Sequence, residues 1–301
     1  MGGLGNQLYQ YTAAHYLASK YKASEIVIDN GEYDSYKIRD LEIDQLLHNK
    51  AVNIENLKSN KDSIFRETYH VYQKLYRILC KNKPPQKVYK KNKKSYICTY
   101  IDCDLDVDLE CDILHMYGYF VSASIALSER NSLMKELWLD ENYKSNQYYE
   151  YYEMASGQSI AVSIRCASDY VKNDWPICSK EYYLSGINYI QNIRQNDNIP
   201  ILIFADNIRK IKEEEWFSNY SNVTYVEGLS VCESFDLLRH CSDYVLSNSS
   251  FSWWGAFLSY SKEAIKMNPN KVFAGKSEKE DSLTFYDELT YMDYITGELI
   301  L

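Results

Sequence analysis

A run of small polar residues near the end of the chain has the composition of a phosphate-binding helix start. Ser247-Asn248-Ser249-Ser250 follows the short apolar segment Tyr244-Val245-Leu246 and precedes Phe251-Ser252-Trp253-Trp254-Gly255-Ala256. The first backbone N–H groups of a helix have no partner within the helix, and together with serine hydroxyls they can bind phosphate without a metal ion. The alternative interpretation is a helix N-cap followed by two core tryptophans. We assign Asn248, Ser249 and Ser250 to substrate binding.

A second group of chemistry-bearing residues lies near the middle of the chain. Arg165 ends an apolar stretch, and Asp169 follows it closely. An arginine carries a permanent charge and a planar fork of donors that suits phosphate groups. A carboxylate such as Asp169 can accept a proton from an attacking hydroxyl as a general base, with Asp174 as the second candidate. The alternatives are a structural salt bridge for Arg165 and a capping or orienting role for Asp169.

The N-terminus carries a third candidate segment, a glycine-rich turn before a predicted helix. Glycines allow a backbone to approach a ligand closely, and the asparagine of this segment can cap the helix or contact a sugar. Such a turn should follow a β-strand, so we expect a first strand to be missing from this sequence. The candidate binding residues here are Gly3, Gly5, Asn6 and Gln7.

Alternating strands and helices in the second half would position the central and C-terminal candidates. The predicted strands are Ile160–Arg165, Ile201–Ala205, Val223–Val226, Tyr244–Leu246 and Ala264–Met267, and the predicted helices are Lys180–Gln191, Ile208–Phe217, Cys232–His240 and Ser252–Tyr260. This alternation is typical of a parallel α/β sheet, in which ligands bind at the carboxyl ends of the strands. Arg165, Asp206, Glu227 and Ser247–Ser250 all fall at such ends. The pattern therefore predicts one nucleotide-binding site.

The first half has a less regular pattern. We predict a helix from Asn6 to about Lys20, a buried strand at Ser24–Asp29, a polar helix over residues 54–80 and a strand with a turn at Met116–Ser122. The polar, tyrosine-rich interval Tyr143–Gly157 is interpreted as a linker. We accordingly divide the chain into an N-terminal domain, residues 1–150, and a C-terminal domain, residues 151–301.

Composition excludes several classes of protein. The formal net charge of −9 argues against nucleic acid as a partner, because binding to a phosphate backbone depends on a positive field. The 8 cysteines form neither a CxxC pair nor a zinc-like cluster with histidine, so we expect reduced thiols in a cytoplasmic protein. No run of about 18 apolar residues is present. We therefore expect at most peripheral contact with the inner face of the plasma membrane.

Six blocks, in order along nearly the whole chain, resemble the bacterial α-1,2-fucosyltransferase family, glycosyltransferase family 11. The blocks are GGLGNQLYQY, GYFVS, SIRCASDY, CSKEYY, IFADN and SNSSFSWWGAFL. The resemblance implies a GT-B-like α/β architecture of two Rossmann-like domains with parallel sheets. It also implies GDP-fucose as donor, inversion at the anomeric carbon and no metal requirement. The N-terminal domain would then lie on the acceptor side, and the C-terminal domain would bind the GDP-sugar.

One block departs from the family pattern of His-x-Arg-Arg followed by Gly-Asp-Tyr. This chain has Ser163 in place of the histidine, Cys166 in place of the second arginine and one inserted residue. Arg165 matches the first arginine and Asp169 the aspartate, so the resemblance gives both a catalytic role. Asp102 and Asp104 match the Asp-x-Asp of metal-dependent transferases, but they lie in an acidic run that produces such matches readily.

The resemblance also implies an acidic residue that reads guanine from the helix before the serine block. Ungapped counting gives Ser234, with Glu233 beside it and Asp236 half a turn further on. A carboxylate accepting two N–H groups is the expected guanine reader, and we assign that role to Glu233. Asp206 and Asp236 complete the predicted binding set.

The expected function is transfer of fucose from GDP-fucose to a hydroxyl, the 2-hydroxyl of galactose, on a surface glycan or O-antigen precursor. The partners would be the donor and a glycan or lipid-linked oligosaccharide acceptor, with no cofactor. Two alternatives remain open. One is a non-catalytic relative that binds sugar nucleotides or glycans, and the other is a GT-B enzyme with a different nucleotide sugar.

Overall fold

The computed structural model describes residues 2–31, 33, 39–56, 87–91, 94–98, 112–166, 170, 174–272 and 281–300. The chain divides into two compact units. One comprises Met1–Asp44 and His48–Leu133, and the other comprises Gln45–Leu47 and Met134–Leu301. The domain boundary that we placed near residue 150 falls inside the second unit. No helix in the described part of the chain combines the length and the apolar character that crossing a membrane would require.

The first unit begins with a long helix and contains two small sheets. Its elements are α1 (Leu4–Tyr21), β1 (Ile26–Asp29), β2 (Val52–Glu55), β3 (Lys87–Lys91), β4 (Lys94–Cys98) and β5 (Ile113–Tyr117), followed by α2 (Ala123–Glu136), which continues into the second unit. Strands β1 and β2 pair in parallel, and β4 pairs with β3 antiparallel and with β5 parallel. The predicted N-terminal helix and the strand that follows it are confirmed, but β1 is half-buried to exposed and not buried as predicted. Of the predicted helix over 54–80, the first residues belong to β2, and 57–80 lie outside the described residues.

The second unit is a sheet of six parallel strands with helices between them. Its elements are α3 (Asn146–Ala155), β6 (Ile160–Ile164), α4 (Lys180–Arg194), β7 (Ile201–Ala205), α5 (Ile208–Glu213), β8 (Val223–Tyr225), α6 (Val231–His240), β9 (Asp243–Val245), α7 (Ser250–Phe257), β10 (Lys266–Pro269) and β11 (Leu289–Met292). The strand order is β11-β10-β9-β6-β7-β8. Counted from β6, this is the doubly wound order 3-2-1-4-5-6.

The core of this sheet explains why the strands were predictable. All five residues of β6 are buried, and β7 is buried along most of its length. Helix α4 packs on the sheet through Tyr182, Tyr183 and Ile187. Its Gly186 allows a close approach, because a Cβ there would lie 2.8 Å from Cγ1 of Val245. A parallel strand covered on both faces is a continuous apolar run, which is the pattern we used.

Two elements of the second unit are absent from the sequence prediction. The interval that we interpreted as a linker forms helix α3, because Tyr148 is fully buried and its hydroxyl donates to the Asp236 carboxylate at 2.6 Å. Strand β11 was not predicted, since its sequence Leu-Thr-Tyr-Met is short and it lies at the edge of the sheet. The predicted α/β fold with parallel sheets is confirmed.

Candidate functional site

Two candidate residues leave the sheet side by side at the carboxyl ends of neighbouring strands. Strands β6 and β7 pair so that Ile164 lies opposite Ala205, and Arg165 and Asp206 are the next residues of each strand. Nη1 of Arg165 lies 2.7 Å from Oδ2 of Asp206, with 18% and 16% of the two side chains exposed. Asp206 therefore acts as the counter-ion that orients the guanidinium.

Asp206 also fixes the residue that stands where the family has a second arginine. Oδ1 of Asp206 accepts the backbone N–H of Cys166 at 3.0 Å, and the Cys166 thiol lies 3.6 Å from the same oxygen. Burial, together with the nearby Asp206 charge, raises the pKa of the Cys166 thiol to about 11. The thiol is thus neutral near pH 7 and adds no charge beside Arg165.

Tyr170 connects Arg165 to the serine block. The guanidinium carbon of Arg165 lies 4.6 Å from the centre of the Tyr170 ring, a cation–π distance. The Tyr170 hydroxyl donates to the backbone carbonyl of Asn248 at 3.0 Å. One aromatic side chain therefore contacts both groups that we predicted to bind phosphate.

The serine block forms the start of α7, as predicted. Ser249 is the N-cap residue with extended backbone (φ −121°, ψ 129°), and its own side chain makes no capping hydrogen bond. The positive end of the helix dipole lies at this helix start. Ser249 and Ser250 are half-buried. This arrangement suits an anion.

Asn248 is held rigidly just before this helix start. Its side-chain amide donates to the carbonyls of Pro176 at 2.5 Å and Val272 at 3.3 Å. Asn248 is only 4% exposed, and its Oδ1 is buried without a hydrogen-bond partner among the described residues. Because the amide group faces two carbonyls, the oxygen is fixed as an acceptor. A ligand hydroxyl or N–H would satisfy it, whereas a phosphate oxygen would not.

The two tryptophans after the serines belong to the core. Trp253 stacks on Phe257 with ring centres 4.8 Å apart, and its indole N–H donates to the carbonyl of Thr284 at 2.7 Å. Trp254 is fully buried. The segment therefore combines a serine-rich helix start with tryptophans that anchor the helix that follows, and phosphate binding by the serines stays a prediction.

The carboxylate of Glu233, which we predicted to bind guanine, accepts hydrogen bonds from within the protein. Oε1 accepts the backbone N–H of Ser145 at 2.7 Å, and Oε2 accepts that of Ser230 at 2.8 Å. Ser230 and Glu233 form a reciprocal capping box at the start of α6. Burial disfavours the charged carboxylate, but the hydrogen bonds from Ser145 and Ser230 outweigh it and lower the pKa of Glu233. The observed role of Glu233 is capping, and direct guanine reading would require it to give up these bonds.

Asp236 is likewise engaged inside the second unit. It is 2% exposed and accepts the Tyr148 hydroxyl. Nζ of Lys144 lies 3.6 Å away and Nε2 of His240 lies 3.8 Å away. These contacts attach α6 to the segment that contains α3, so Asp236 has a structural environment and no open face toward a ligand.

The N-terminal candidates lie in the first unit, around the start of α1. Gln7 is 3% exposed and uses both ends of its amide, donating to the carbonyls of Gly2 and Asp40 and accepting the N–H groups of Glu42 and Ile43. Gln7 thus joins the glycine turn to residues 40–43, and direct contact with a substrate would break these hydrogen bonds.

The other residues of the glycine turn lie next to Gln7. Gly3 is the N-cap of α1, Gly5 is buried in its first turn and Asn6 is half-buried inside the helix, so Asn6 does not occupy the cap position. Gly2 has φ of +114°, and a Cβ there would meet Asn6 Nδ2 at 2.7 Å. A glycine is therefore required at position 2 by both conformation and space.

Other predicted residues lie outside the described part of the chain or have different surroundings. Asp169 lies outside the described residues, as do Asp102 and Asp104. Asp174 is exposed and adopts a left-handed backbone (φ 54°), and Glu227 pairs with Lys212 on α5. Among the residues that the structure describes, no group of three or more His, Cys, Asp or Glu side chains could hold a metal ion. Metal independence stays a prediction.

The structure thus brings together Arg165, Asp206, Asn248, Ser249 and Ser250 in the second unit. They lie where the strand order reverses, because β6 has β7 on one side and β9 on the other. In doubly wound sheets, ligands bind at this switch point. Sequence reasoning missed Tyr170 as a contributor, although its position in the Asp-Tyr pair of the motif was a usable signal.

Comparisons with known proteins identify the family of this chain. The model of the family "Glycosyl transferase family 11" matches residues 105–292, more than half of the chain. The O-antigen biosynthesis glycosyltransferase WbnK of Escherichia coli is 27% identical over 93% of this chain and 95% of its own length. An α-1,2-colitosyltransferase of Escherichia coli is 26% identical over 94% of this chain and 93% of its own length.

A solved structure shares the fold. The NodZ α-1,6-fucosyltransferase co-crystallised with GDP superposes with a TM-score of 0.51 at 14% identity, over 85% of this chain and 89% of that one. At this level of identity the similarity concerns the fold. Together with the family match, it explains the α/β architecture and the parallel sheet of the second unit. The chain belongs to glycosyl transferase family 11 and is a glycosyltransferase of the α-1,2-fucosyltransferase type.

Proposed function

We propose that the chain moves fucose from GDP-fucose, with inversion, to a hydroxyl of a surface glycan or O-antigen precursor. The expected acceptor group is the 2-hydroxyl of a galactose on a glycan or lipid-linked oligosaccharide. Family membership supports transfer, and the names of the two Escherichia coli relatives support O-antigen synthesis and an α-1,2 linkage. The fold similarity to a fucosyltransferase co-crystallised with GDP supports a GDP-sugar donor.

One observation carries the assignment of the donor site. Arg165 and the start of α7 follow β6 and β9, the two neighbouring strands between which the sheet reverses its order. A permanent cation and a set of backbone N–H groups thereby border the same edge of the sheet. We assign donor binding to this second unit and acceptor binding to the first.

The proposed reaction follows from these groups. The bond between the anomeric carbon and the diphosphate oxygen breaks, and a bond from the acceptor oxygen to that carbon forms on the opposite face. Negative charge grows on the departing GDP, where Arg165 and the first N–H groups of α7 stabilise it. In other transferases a divalent cation performs this task, so we propose that this enzyme needs no metal and no cofactor. Asp169 takes the proton of the acceptor hydroxyl, with Asp174 as second candidate.

A second candidate function is transfer of a different sugar by the same site. The similarity to an α-1,2-colitosyltransferase supports it. Colitosyl transfer would use the same Arg165 and α7 contacts, because these contact the diphosphate and not the sugar. The third possibility, a relative that binds without turnover, predicts nucleotide binding alone.

Titration followed by a turnover assay separates these functions. GDP, UDP and GDP-fucose are titrated into the full-length protein by calorimetry, with the Arg165→Ala variant and the exposed Arg209→Ala variant as a matched pair. The proposal predicts that GDP and GDP-fucose bind more tightly than UDP, that Arg165→Ala weakens both, and that GDP is released when a galactoside is added. Preference for UDP, or GDP-fucose binding without any release of GDP, would contradict it.

A further inference from the structure

We propose that Tyr170 is a positioning residue that holds the Arg165 guanidinium and couples it to the start of α7. The inference rests on the proposed function in one respect, namely that Arg165 binds a diphosphate. It adds a residue to which the pattern of the chain assigned no role.

The first contact is between the ring and the guanidinium. The Tyr170 ring lies 4.6 Å from the guanidinium carbon of Arg165, and the Asp206 carboxylate binds Nη1 of the same group at 2.7 Å. The carboxylate fixes one nitrogen, and the ring fixes the plane of the group. A free arginine side chain loses rotamer entropy when a ligand fixes it. Holding the fork before the ligand arrives therefore reduces the cost of binding.

A second contact fixes the ring itself. The Tyr170 hydroxyl donates to the backbone carbonyl of Asn248 at 3.0 Å, and Asn248 directly precedes the N-cap residue Ser249. The Asn248 amide is tied to the carbonyls of Pro176 and Val272. Tyr170 thus joins a guanidinium that follows β6 to the helix start that follows β9. Its ring and hydroxyl together set how the two anion-binding groups face one phosphate chain.

A tyrosine that only packs would behave differently from one that positions Arg165. The Tyr170 ring also lies 5.9 Å from the Trp175 ring, so some loss of stability is expected from any truncation. Packing alone would affect every ligand equally and would act independently of Arg165. Positioning predicts an effect that needs both the phosphates and Arg165.

A double-mutant cycle on the full-length protein distinguishes the two roles. Binding of GDP is measured by calorimetry for the wild type, Tyr170→Phe, Tyr170→Leu, Arg165→Ala and the double variant Arg165→Ala/Tyr170→Leu. Guanosine, which lacks the phosphates, is measured by ligand-detected NMR. Tyr220→Leu is the matched control, because Tyr220 is a half-buried tyrosine whose hydroxyl bonds Asn188 at 2.8 Å, remote in sequence from the cluster. Thermal unfolding verifies that each variant is folded.

Positioning predicts that Tyr170→Leu weakens GDP binding about tenfold, in line with a desolvated cation–π contact. Tyr170→Phe keeps the ring and recovers part of the loss. In the Arg165→Ala background, Tyr170→Leu has no further effect on GDP, and guanosine affinity is unchanged throughout. Wild-type GDP affinity in Tyr170→Leu would overturn the inference, and so would an equal loss in both backgrounds or an equal loss for guanosine.

The experiment distinguishes failure of the proposed function from failure of the inference about Tyr170. If the wild type binds UDP instead of GDP, the proposed donor is wrong, and the same cycle measured with UDP decides the role of Tyr170 by the same criteria. A wild-type protein that binds neither nucleoside diphosphate contradicts both the function and the inference.

Discussion

The guanidinium of Arg165 lies 2.7 Å from the carboxylate of Asp206, at the ends of two neighbouring parallel strands. The sequence predicts that Asp206 binds substrate, and in the structure its carboxylate contacts Arg165 and the N–H of Cys166. A guanidinium has five N–H donors, so one carboxylate can orient it without using its whole binding capacity. The pair gives the edge of the sheet a cation with a defined direction, and this is the property that the proposed chemistry needs.

Arg165→Lys keeps the charge but removes the planar fork. A lysine ammonium cannot be oriented by Asp206 and the Tyr170 ring in the same way, and it offers the diphosphate a single point charge. We expect turnover to fall by about 10²-fold or more, comparable to removing one preorganised transition-state donor. Arg209→Lys is the control, because the Arg209 side chain is 87% exposed on α5. Near-wild-type turnover of Arg165→Lys would assign Arg165 to structure.

Chelation tests the proposed metal independence. Because Arg165 and the start of α7 supply the positive charge, we expect initial rates to be the same with and without EDTA. The assay compares EDTA-treated enzyme with and without added Mg²⁺ or Mn²⁺. Loss of activity in EDTA and its recovery with either ion would contradict the prediction and would make Asp102 and Asp104 the candidate metal ligands.

Asp169→Asn tests the proposed general base. Asparagine is nearly isosteric but cannot accept the proton of the acceptor hydroxyl. We expect a large fall in kcat with unchanged affinity for GDP, and Asp174→Asn is measured alongside as the alternative base. If Asp169→Asn instead weakens GDP binding with little effect on turnover, Asp169 belongs to the binding residues.

Glu233 predicts a pH-dependent contribution to stability. Its pKa in the folded state lies below the ordinary value, so the folded state favours the ionised carboxylate more than the unfolded chain does. The stabilisation is complete above the unfolded-state pKa and disappears as the pH falls through the lower folded-state value. We expect Glu233→Gln to reduce the free energy of unfolding at pH 7 by about 2 kcal/mol, the range for a hydrogen bond to a charged group.

Urea unfolding at several pH values measures this effect. The difference between wild type and Glu233→Gln should shrink as the pH is lowered from 7 toward 3. Glu150→Gln, an exposed substitution on α3, serves as the control and should leave stability nearly unchanged. A difference that stays constant with pH would show that the capping bonds do not depend on the charge of Glu233.

Much of the second unit could be predicted because its strands are continuous apolar runs. The predicted strand Ile201–Ala205 has the observed bounds, and β6 differs from its prediction only at Arg165. The carboxyl ends of such strands lie on one edge, so the positions of Arg165 and Asp206 followed from the pattern. The direct pairing of Arg165 with Asp206 could not be predicted from the pattern, because a strand end does not reveal which side chains turn toward each other.

The remaining differences concern polar residues whose type does not reveal their partner. Gln7 and Glu233 have the side chains that a ligand site would use, yet both satisfy backbone groups of the protein. A buried backbone N–H needs a hydrogen-bond partner, and so does a polar ligand. Only the tertiary structure shows which of the two a given side chain binds. The opposite error concerns α3. Its polar, tyrosine-rich sequence predicts a linker, but Tyr148 is a buried core residue.

A crystal structure of the full-length protein with bound GDP tests the central claim most directly. The claim is that Arg165 and the start of α7 bind one diphosphate. We predict that guanidinium nitrogens of Arg165 and backbone N–H groups of Ser249 or Ser250 lie within about 3 Å of oxygens of the same diphosphate. A bound GDP whose phosphates lie elsewhere, or an Arg165 guanidinium more than about 10 Å from Ser249, would contradict the account, since contacts to one diphosphate require hydrogen-bond distances.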